Sequence, residues 1–464
     1  MTLKISLKHL KWPAVMLLPL RFVGPFLTAR CGPRDAGLNP ERAITVPAGH
    51  SGFFRASLKK LPGGLALLSS ILLISFAHSG FARNWSLTGA STNDDWKSIA
   101  CSADGGKFVA VAYDDGLGNG GPIDVSTNSG ATWKQTSAPT TVSWQSVASS
   151  ANGSNLVAAV NQDLSANPGQ LYVSTNAGKT WKATPPTNFW AAVASSADGS
   201  KLVAVDSGSG DSLIYFSTNF GITWSSNSVT SDSWAAVTIS ADGSKMAAAD
   251  SGYGDGMIYV SSDGGSSWSA TMAPVNPWTC LAYSEDGSRL IAANAALGDD
   301  LIYVSTNSGA TWNPSTAPSN QWSSVASSAD GSKLIAADSG NGDGLIYIST
   351  DSGQSWSATT APVEYWSAVA SAADGSILSA VAYPGGIYTW ESLPVLNLTQ
   401  ASGNVVLSWQ NLSSASGFAL QQNSDLASGN WTSVPNTPTL VNGTHQITLP
   451  IASSGNNFYR LVGP

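Results

Sequence analysis

Three observations predict an all-β chain of small stacked sheets. Seven tryptophans, Trp96, Trp144, Trp190, Trp234, Trp278, Trp322 and Trp366, head seven copies of one pattern, at steps of 48, 46 and then four times 44 residues. A fixed period in this range marks one supersecondary unit stacked many times. Each copy divides at Gly- and Asp-rich turns into four short runs of strand length. The inner runs, such as Leu345-Ile346-Tyr347-Ile348, are apolar on both faces, so other sheets must cover them on both sides. Radial stacking of four-stranded sheets meets that demand and leaves only short edges. The predicted architecture is a seven-bladed β-propeller of four-stranded blades.

The copy at 322–356 shows the elements in order. Its first strand is Trp322 to Ala326, ending at Ser-Ala-Asp-Gly-Ser, where Asp330-Gly331 is expected to supply the positive-φ pair of a tight hairpin. The second strand is Lys333 to Ala337, followed by the loop Asp338 to Gly344. The third is Leu345 to Ser349, and the fourth begins at Trp356 after a second tight turn.

That second turn carries a motif: STNSGATW (126–133), STNAGKTW (174–181), STNFGITW (217–224), SSDGGSSW (261–268), STNSGATW (305–312) and STDSGQSW (349–356). These six, in phase over residues 84–390, resemble the Asp box, or BNR repeat. The resemblance implies a β-propeller of the kind found in sialidase-like, sortilin-type and photosystem II assembly-factor-type proteins. Asp263 and Asp351 hold the third position in two boxes and Asn in four; either side chain accepts from backbone N–H groups in an Asx-type turn. A box Trp that buries ~200 Å² contributes ~5 kcal/mol at ~25 cal/mol per Å², so the boxes are expected to staple the fold.

The ends predict how the series closes. The seventh copy stops at Gly385 to Trp390, without a box or a fourth strand, whereas Arg83 to Trp96 matches the fourth strand and loop that precede the other copies. The N-terminal strand is therefore expected to complete the last blade. Ahead of it, residues 1–82 form a leader. Lys59-Lys60, the apolar run Leu65 to Ala77, and Gly80-Phe81-Ala82 have the three parts of a signal peptide (core 59–82), which predicts export. The stretch 1–58 is basic and interrupted by prolines; it reads either as sequence ahead of the true start or as an extended leader. The propeller is expected over 83–392 and a small β-sandwich over 393–464, where alternating runs such as VVLSW and GFALQQ resemble fibronectin type III-like modules.

Charge and residue usage exclude several functions. Residues 83–464 carry 11 basic and 27 acidic side chains, a net charge of −16, which disfavours nucleic acid and anionic membranes. No segment of 83–464 reads as membrane-spanning, and a monomer is expected. Cys101 and Cys280 lie in first strands of the first and fifth copies and read as buried free thiols. A sialidase-like site needs three converging arginines, and 83–464 contains only Arg83, Arg289 and Arg460. His445, outside the repeats, is the single histidine after the leader, so no His-based triad or His-ligated metal fits the propeller.

Binding residues are sought where loops gather on one face. The seven leading tryptophans are candidates for stacking a sugar, against the plainer role of packing between blades. The loops 206–212, 250–256 and 338–344 offer Asp206, Asp211, Asp250, Asp255, Asp338 and Asp343 as oxygen ligands for calcium; no other cofactor is implied. No catalytic residue is assigned. The function expected is an exported, non-catalytic binding or scaffold propeller whose ligand is a glycan or an envelope protein. The alternative, resembling the Asp-box xyloglucan hydrolases, is a carbohydrate-active enzyme with a carboxylate pair among Asp94, Asp95, Asp232 and Glu364, residues that break the repeat.

Overall fold

The structure, a computed structural model, describes residues 85–464 apart from 209–211, 232, 253–254, 296–299, 341–343, 392–395, 402–403, 411–417, 425–429, 442–443, 451–456 and 463–464. Before Trp85 it describes only the strands Leu20–Val23, Phe26–Ala29 and Ile71–Leu73. The signal-peptide boundary expected at Ala82 lies outside the described residues, as do Asp211, Asp232 and Asp343. Every regular element among the described residues is a β-strand. The chain divides into two compact units, one formed by Ala77–Pro394 with Gln410–Ser416, the other by Met1–Phe76, Val395–Trp409 and Gly417–Pro464.

In the larger unit each repeat folds into one antiparallel four-stranded sheet with its strands in sequence order. In the repeat headed by Trp322 these are Trp322–Ser327, Leu334–Asp338, Ile346–Ser349 and Ser357–Ala358. The last repeat supplies Trp366–Ser371, Ile377–Ala382 and Ile387–Glu391, and its fourth strand is Ser86–Leu87, with Leu87 opposite Tyr388 and Ser86 opposite Thr389. Trp85, just before that strand, is buried and donates its indole N–H to Thr359 Oγ1 at 3.0 Å.

Burial follows the sequence pattern. Second strands such as Phe108–Ala112, Met246–Asp250 and Leu334–Asp338 are buried at all five positions. Their alanines leave room for neighbouring sheets, and each core cluster joins two successive repeats. Val109, Val111 and Ile123 of the first repeat, for example, pack with Trp144, Val147 and Leu156 of the second.

The first hairpin differs from the expected pair of positive-φ residues. Only the glycine takes the left-handed conformation (φ 66° at Gly331); Asp330 does not. Gly331 N–H donates to Ser328 O at 2.9 Å, while Asp330 Oδ1 accepts from Ser332 N–H (2.9 Å) and Ser328 Oγ (2.8 Å). The turn is thus the type I form with left-handed glycine at its end, and the aspartate acts through its side chain. The same contacts recur at Asp198, Asp242 and Asp286. These bonds hold the Asp242, Asp286 and Asp330 carboxyls down at about 2.

These hairpins also link the repeats. Ala103 N–H donates to Ala151 O, and the series continues through Ala197, Ala241, Glu285, Ala329 and Ala373, whose N–H donates back to Ala103 O, at 2.6–2.8 Å. Lysine ammonium groups reinforce the links: Lys107 reaches Asn152 O (2.8 Å), Lys201 reaches Asp242 O (2.8 Å) and Lys333 reaches Asp374 O (2.6 Å).

The second turn behaves as an Asx staple. Asn128 Oδ1 accepts from Thr132 N–H (2.9 Å) and Ser126 Oγ (3.0 Å), and Ser126 Oγ accepts from Gly130 N–H (2.9 Å). Asp351 makes the equivalent bond to Ser355 N–H at 2.8 Å. Two successive left-handed residues close each turn, as at Ser352 and Gly353 (φ 62° and 85°).

In the smaller unit, two four-stranded sheets share one apolar core. One contains Asn397–Ala401, Asn404–Gln410, Thr444–Pro450 and Thr439–Val441; the other contains Asn457–Val462, Ala419–Asn423 and Thr432–Ser433, with Ile71–Leu73 parallel to Asn457–Tyr459. Val405, Leu407, Trp409, Leu420, Ile447 and Tyr459 fill the space between them.

Candidate functional site

The seven leading tryptophans are buried, with 0–1% of their surface exposed. Six of them open a first strand, and Trp144 is the third residue of its own, Val142–Ser149. In six repeats the leading ring meets the edge of the third-strand tyrosine of the same sheet (Tyr172, Tyr215, Tyr259, Tyr303, Tyr347 and Tyr388), at centroid distances of 5.1–5.6 Å. Several indole N–H groups also reach the preceding repeat, as from Trp234 to Ser212 O (3.1 Å) and Trp366 to Gly344 O (3.0 Å). The faces a sugar would stack on are taken up by packing. A register shift follows the Trp in most first strands, between Trp322 and Ser324 for example, and this bulge turns the ring into the sheet interface.

The aspartates considered for calcium are held by their own loops. Asp206, Asp250 and Asp338 are buried directly across the sheet from Trp190, Trp234 and Trp322. Asp250 Oδ1 accepts from Gly252 N–H (2.8 Å) and Asp338 Oδ1 from Gly340 N–H (2.6 Å). Asp255 is exposed, and its carboxyl lies with that of Asp250 against Gly252. Among the described residues no three His, Cys, Asp or Glu side chains come together in a metal-holding group.

The repeat is broken most strongly in its first copy. Where six repeats place the third-strand tyrosine, the first places Asp124, 8% exposed, whose Oδ1 has no hydrogen-bond partner. Burial, and then the charge of Asp94, pushes the Asp124 carboxyl up to about 6. Asp95, also buried, sits at the turn into the first strand; its N–H donates to Asp114 O (3.0 Å) and its carbonyl accepts from Tyr113 N–H (2.8 Å). Burial and then the Asp114 charge push the Asp95 carboxyl up to about 6. Burial also raises Asp94, with Asp115 and Asp114 adding to the effect.

The last repeat contributes tyrosines to this cluster. The Asp95 charge raises the Tyr383 phenol. Tyr383 N–H donates to Tyr365 O (2.8 Å), which sets two tyrosines, 46% and 51% exposed, beside the acidic group. Glu364, the neighbour of Tyr365, accepts from Tyr388 Oη at 3.2 Å. Of the carboxylates considered from sequence, Asp94 and Asp95 do meet. Asp114, Asp115, Asp124 and Tyr383 were missed. Aligning the third strands, IDVS against LYVS or IYVS, exposes Asp124 as the exception.

No family model matches the sequence. No curated protein matches it either. Among solved structures, the chain is similar to the GH74 xyloglucanase from Xanthomonas campestris, with a TM-score of 0.52 and 14% identity over 70% of this chain and 59% of that one. It is similar to the hydrazine synthase of Kuenenia stuttgartiensis, with a TM-score of 0.53 and 12% identity over 65% of this chain and 97% of that one. A structure of YCF48 bound to D1 peptide gives a TM-score of 0.49 and 13% identity, over 67% and 97% of the two chains. The fold is a β-propeller. At these identities the likeness carries the fold alone, and the chain spans only 59% of the length of the xyloglucanase.

Among the described residues, Asp94, Asp95 and Asp114 gather at the approach to the first strand of the first repeat, with the half-exposed Tyr383 acting on Asp95 from the last repeat.

Proposed function

We propose that the chain is an exported, seven-bladed Asp-box propeller, closed by its N-terminal strand and followed by a fibronectin type III-like sandwich, that binds a glycan without cleaving it. The pairing of Ser86–Leu87 with the last repeat and the amide series returning to Ala103 support the seven-bladed, closed reading. The observation that carries the function is the break in the repeat. Copies otherwise alike gather Asp94, Asp95 and Asp114 at the first repeat, where Tyr383 of the last repeat acts on Asp95 and is tied to Tyr365 through the backbone, both tyrosines exposed. Aromatic faces beside polar groups suit a pyranose ring and its hydroxyls. The buried leading tryptophans would shape this site from beneath.

A glycan-binding screen on the full chain, with and without calcium, tests the reading. Saturable binding that is lost on Tyr365→Ala or Tyr383→Ala supports it, and dependence on calcium would bring Asp250 and Asp255 into the site. No binding in either condition removes the glycan and moves the search to envelope proteins. The hydrolase alternative keeps one observation in its favour: an Asp95 carboxyl raised to about 6 is suited to donating a proton. Release of shortened oligosaccharides, abolished by Asp95→Asn, would establish it over simple binding.

A further inference from the structure

The last strand of the smaller unit has one flank filled from the far end of the chain. Asn457–Val462 pairs on one side with Ala419–Asn423, antiparallel over five residues from Ala419 opposite Val462 to Asn423 opposite Phe458. On its other side stands Ile71–Leu73, parallel to it, with Ile71 opposite Asn457, Leu72 opposite Phe458 and Leu73 opposite Tyr459. The sheet ends there, so Ile71–Leu73 is an edge strand. These residues lie within the uncharged run Leu65 to Ala77, the segment that reads as the core of a signal peptide.

Removal of the leader takes that strand away and leaves its acceptor in place, because the other contacts of Asn457–Val462 owe nothing to the leader. Tyr459 is buried in the sandwich core with Leu407, Trp409 and Leu420, and Leu461 packs against the same core. Arg460 Nε and Nη2 donate to Gln421 Oε1 at 2.9 and 2.7 Å, and the guanidinium lies 4.3 Å from the centre of the Trp431 ring. What is lost is the partner of the backbone groups that face Ile71–Leu73. A fixed strand with unpaired N–H and C=O groups is a template for another extended chain. Covalent attachment keeps the leader strand at high effective concentration; once cut, a strand paired over three residues is held only by its own few bonds and leaves.

We propose that the edge of Asn457–Tyr459 is a strand-docking site, filled by the chain's own Ile71–Leu73 before the leader is removed and taken afterwards by an extended aliphatic segment of a partner protein running in the same parallel direction. The present occupant defines that chemistry: uncharged, aliphatic and extended. The inference rests on the export reading above and is independent of the glycan.

Amide hydrogen exchange read by mass spectrometry tests it on the full chain made without export, on the full chain carrying Leu72→Pro, and on the protein recovered after export. Proline removes a backbone donor and breaks strand pairing. In the full chain, the Asn457–Tyr459 amides that point toward Ile71–Leu73 should exchange at least ~10-fold slower than in the other two proteins, while those of Leu420 to Gln422 stay equally slow in all three. A peptide of residues 68–77 added to the exported protein should restore the slow exchange, and the same peptide with Leu72→Pro should not. Equal exchange in the full chain and its Leu72→Pro variant overturns the cap. Failure of the peptide to restore protection, or equal effect of both peptides, overturns the docking site. Should Leu72→Pro fail to fold, the exported protein and the two peptides carry the test. An exported protein whose mass still includes residues 59–82 overturns the export reading and the uncovering with it; a difference between the full chain and Leu72→Pro then supports the cap alone.

Discussion

Asp124 makes a quantitative test of the site, because it replaces a repeated tyrosine with a buried carboxyl. The substitution Asp124→Asn keeps the shape and removes the ionisation. In the folded chain the Asp124 carboxyl titrates at about 6 instead of the ordinary 3.8. That difference corresponds to ~3 kcal/mol at neutral pH, at ~1.4 kcal/mol per pH unit. The sign follows from proton binding. Between about pH 4 and pH 6 the folded state holds the proton more tightly than the unfolded state, so stability falls as pH rises through this window. The full penalty is present above pH 6 and absent below about pH 4. A propeller unit of this size has an unfolding entropy of ~0.6 kcal/mol per kelvin, so removing the penalty should raise the melting temperature by ~5 °C. Differential scanning calorimetry of both proteins at pH 7.5 and pH 4 reads this directly. The variant should melt higher at pH 7.5, and the difference should close at pH 4. A variant melting at or below the parent at pH 7.5 would show that the ionised carboxylate has a donor and would refute the reasoning. A difference that stays the same at pH 4 would refute it too.

Three further outcomes follow from the packing. Gly221→Ala should destabilise by ~2 kcal/mol or more, because φ is 75° and the added methyl would lie 2.7 Å from Val173 Cγ1; Gly264→Ala, with only Gly243 O at 3.5 Å, should cost nearer ~1 kcal/mol, and urea melts of the two should rank them so. Trp85→Ala should cost ~3–5 kcal/mol, since it empties a buried site beside Trp366 and breaks the bond to Thr359; a thermal melt within ~1 °C of the parent would deny the N-terminal strand its role in holding the last repeat. Burial pushes the Cys280 thiol up to about 12, so a thiol-reactive dye at pH 8 should not label it until denaturant is added, whereas the partly exposed Cys101 is free to react sooner; prompt labelling of Cys280 in the native chain would contradict its burial.

Much of this fold was legible because its determinants are local. Strand lengths, the Asx-type turns and the glycine at each hairpin are fixed by residues within a few positions of one another, and the recurring period shows that every copy solves the same packing problem. The hairpin at Asp330-Gly331 was misread in detail. Sequence offers aspartate both as a left-handed residue and as a side-chain acceptor, and Ser328 and Ser332 supply the donors that select the second. The leading tryptophans show a similar limit. Their recurrence was plain, but recurrence cannot say whether a ring lies on a face or under it, and the bulge after each Trp decides that.

By itself, the sequence determined the all-β class and the repeated four-strand unit, because both rest on short-range pattern. Only the tertiary structure decided where chemistry can gather. Asp95 and Asp114 belong to the first repeat, and Tyr365 and Tyr383 to the segments just before the first strand and just after the second strand of the last. They meet because sheets far apart in sequence are packed side by side, and burial there raises carboxyls that in an extended chain would be ordinary surface acids.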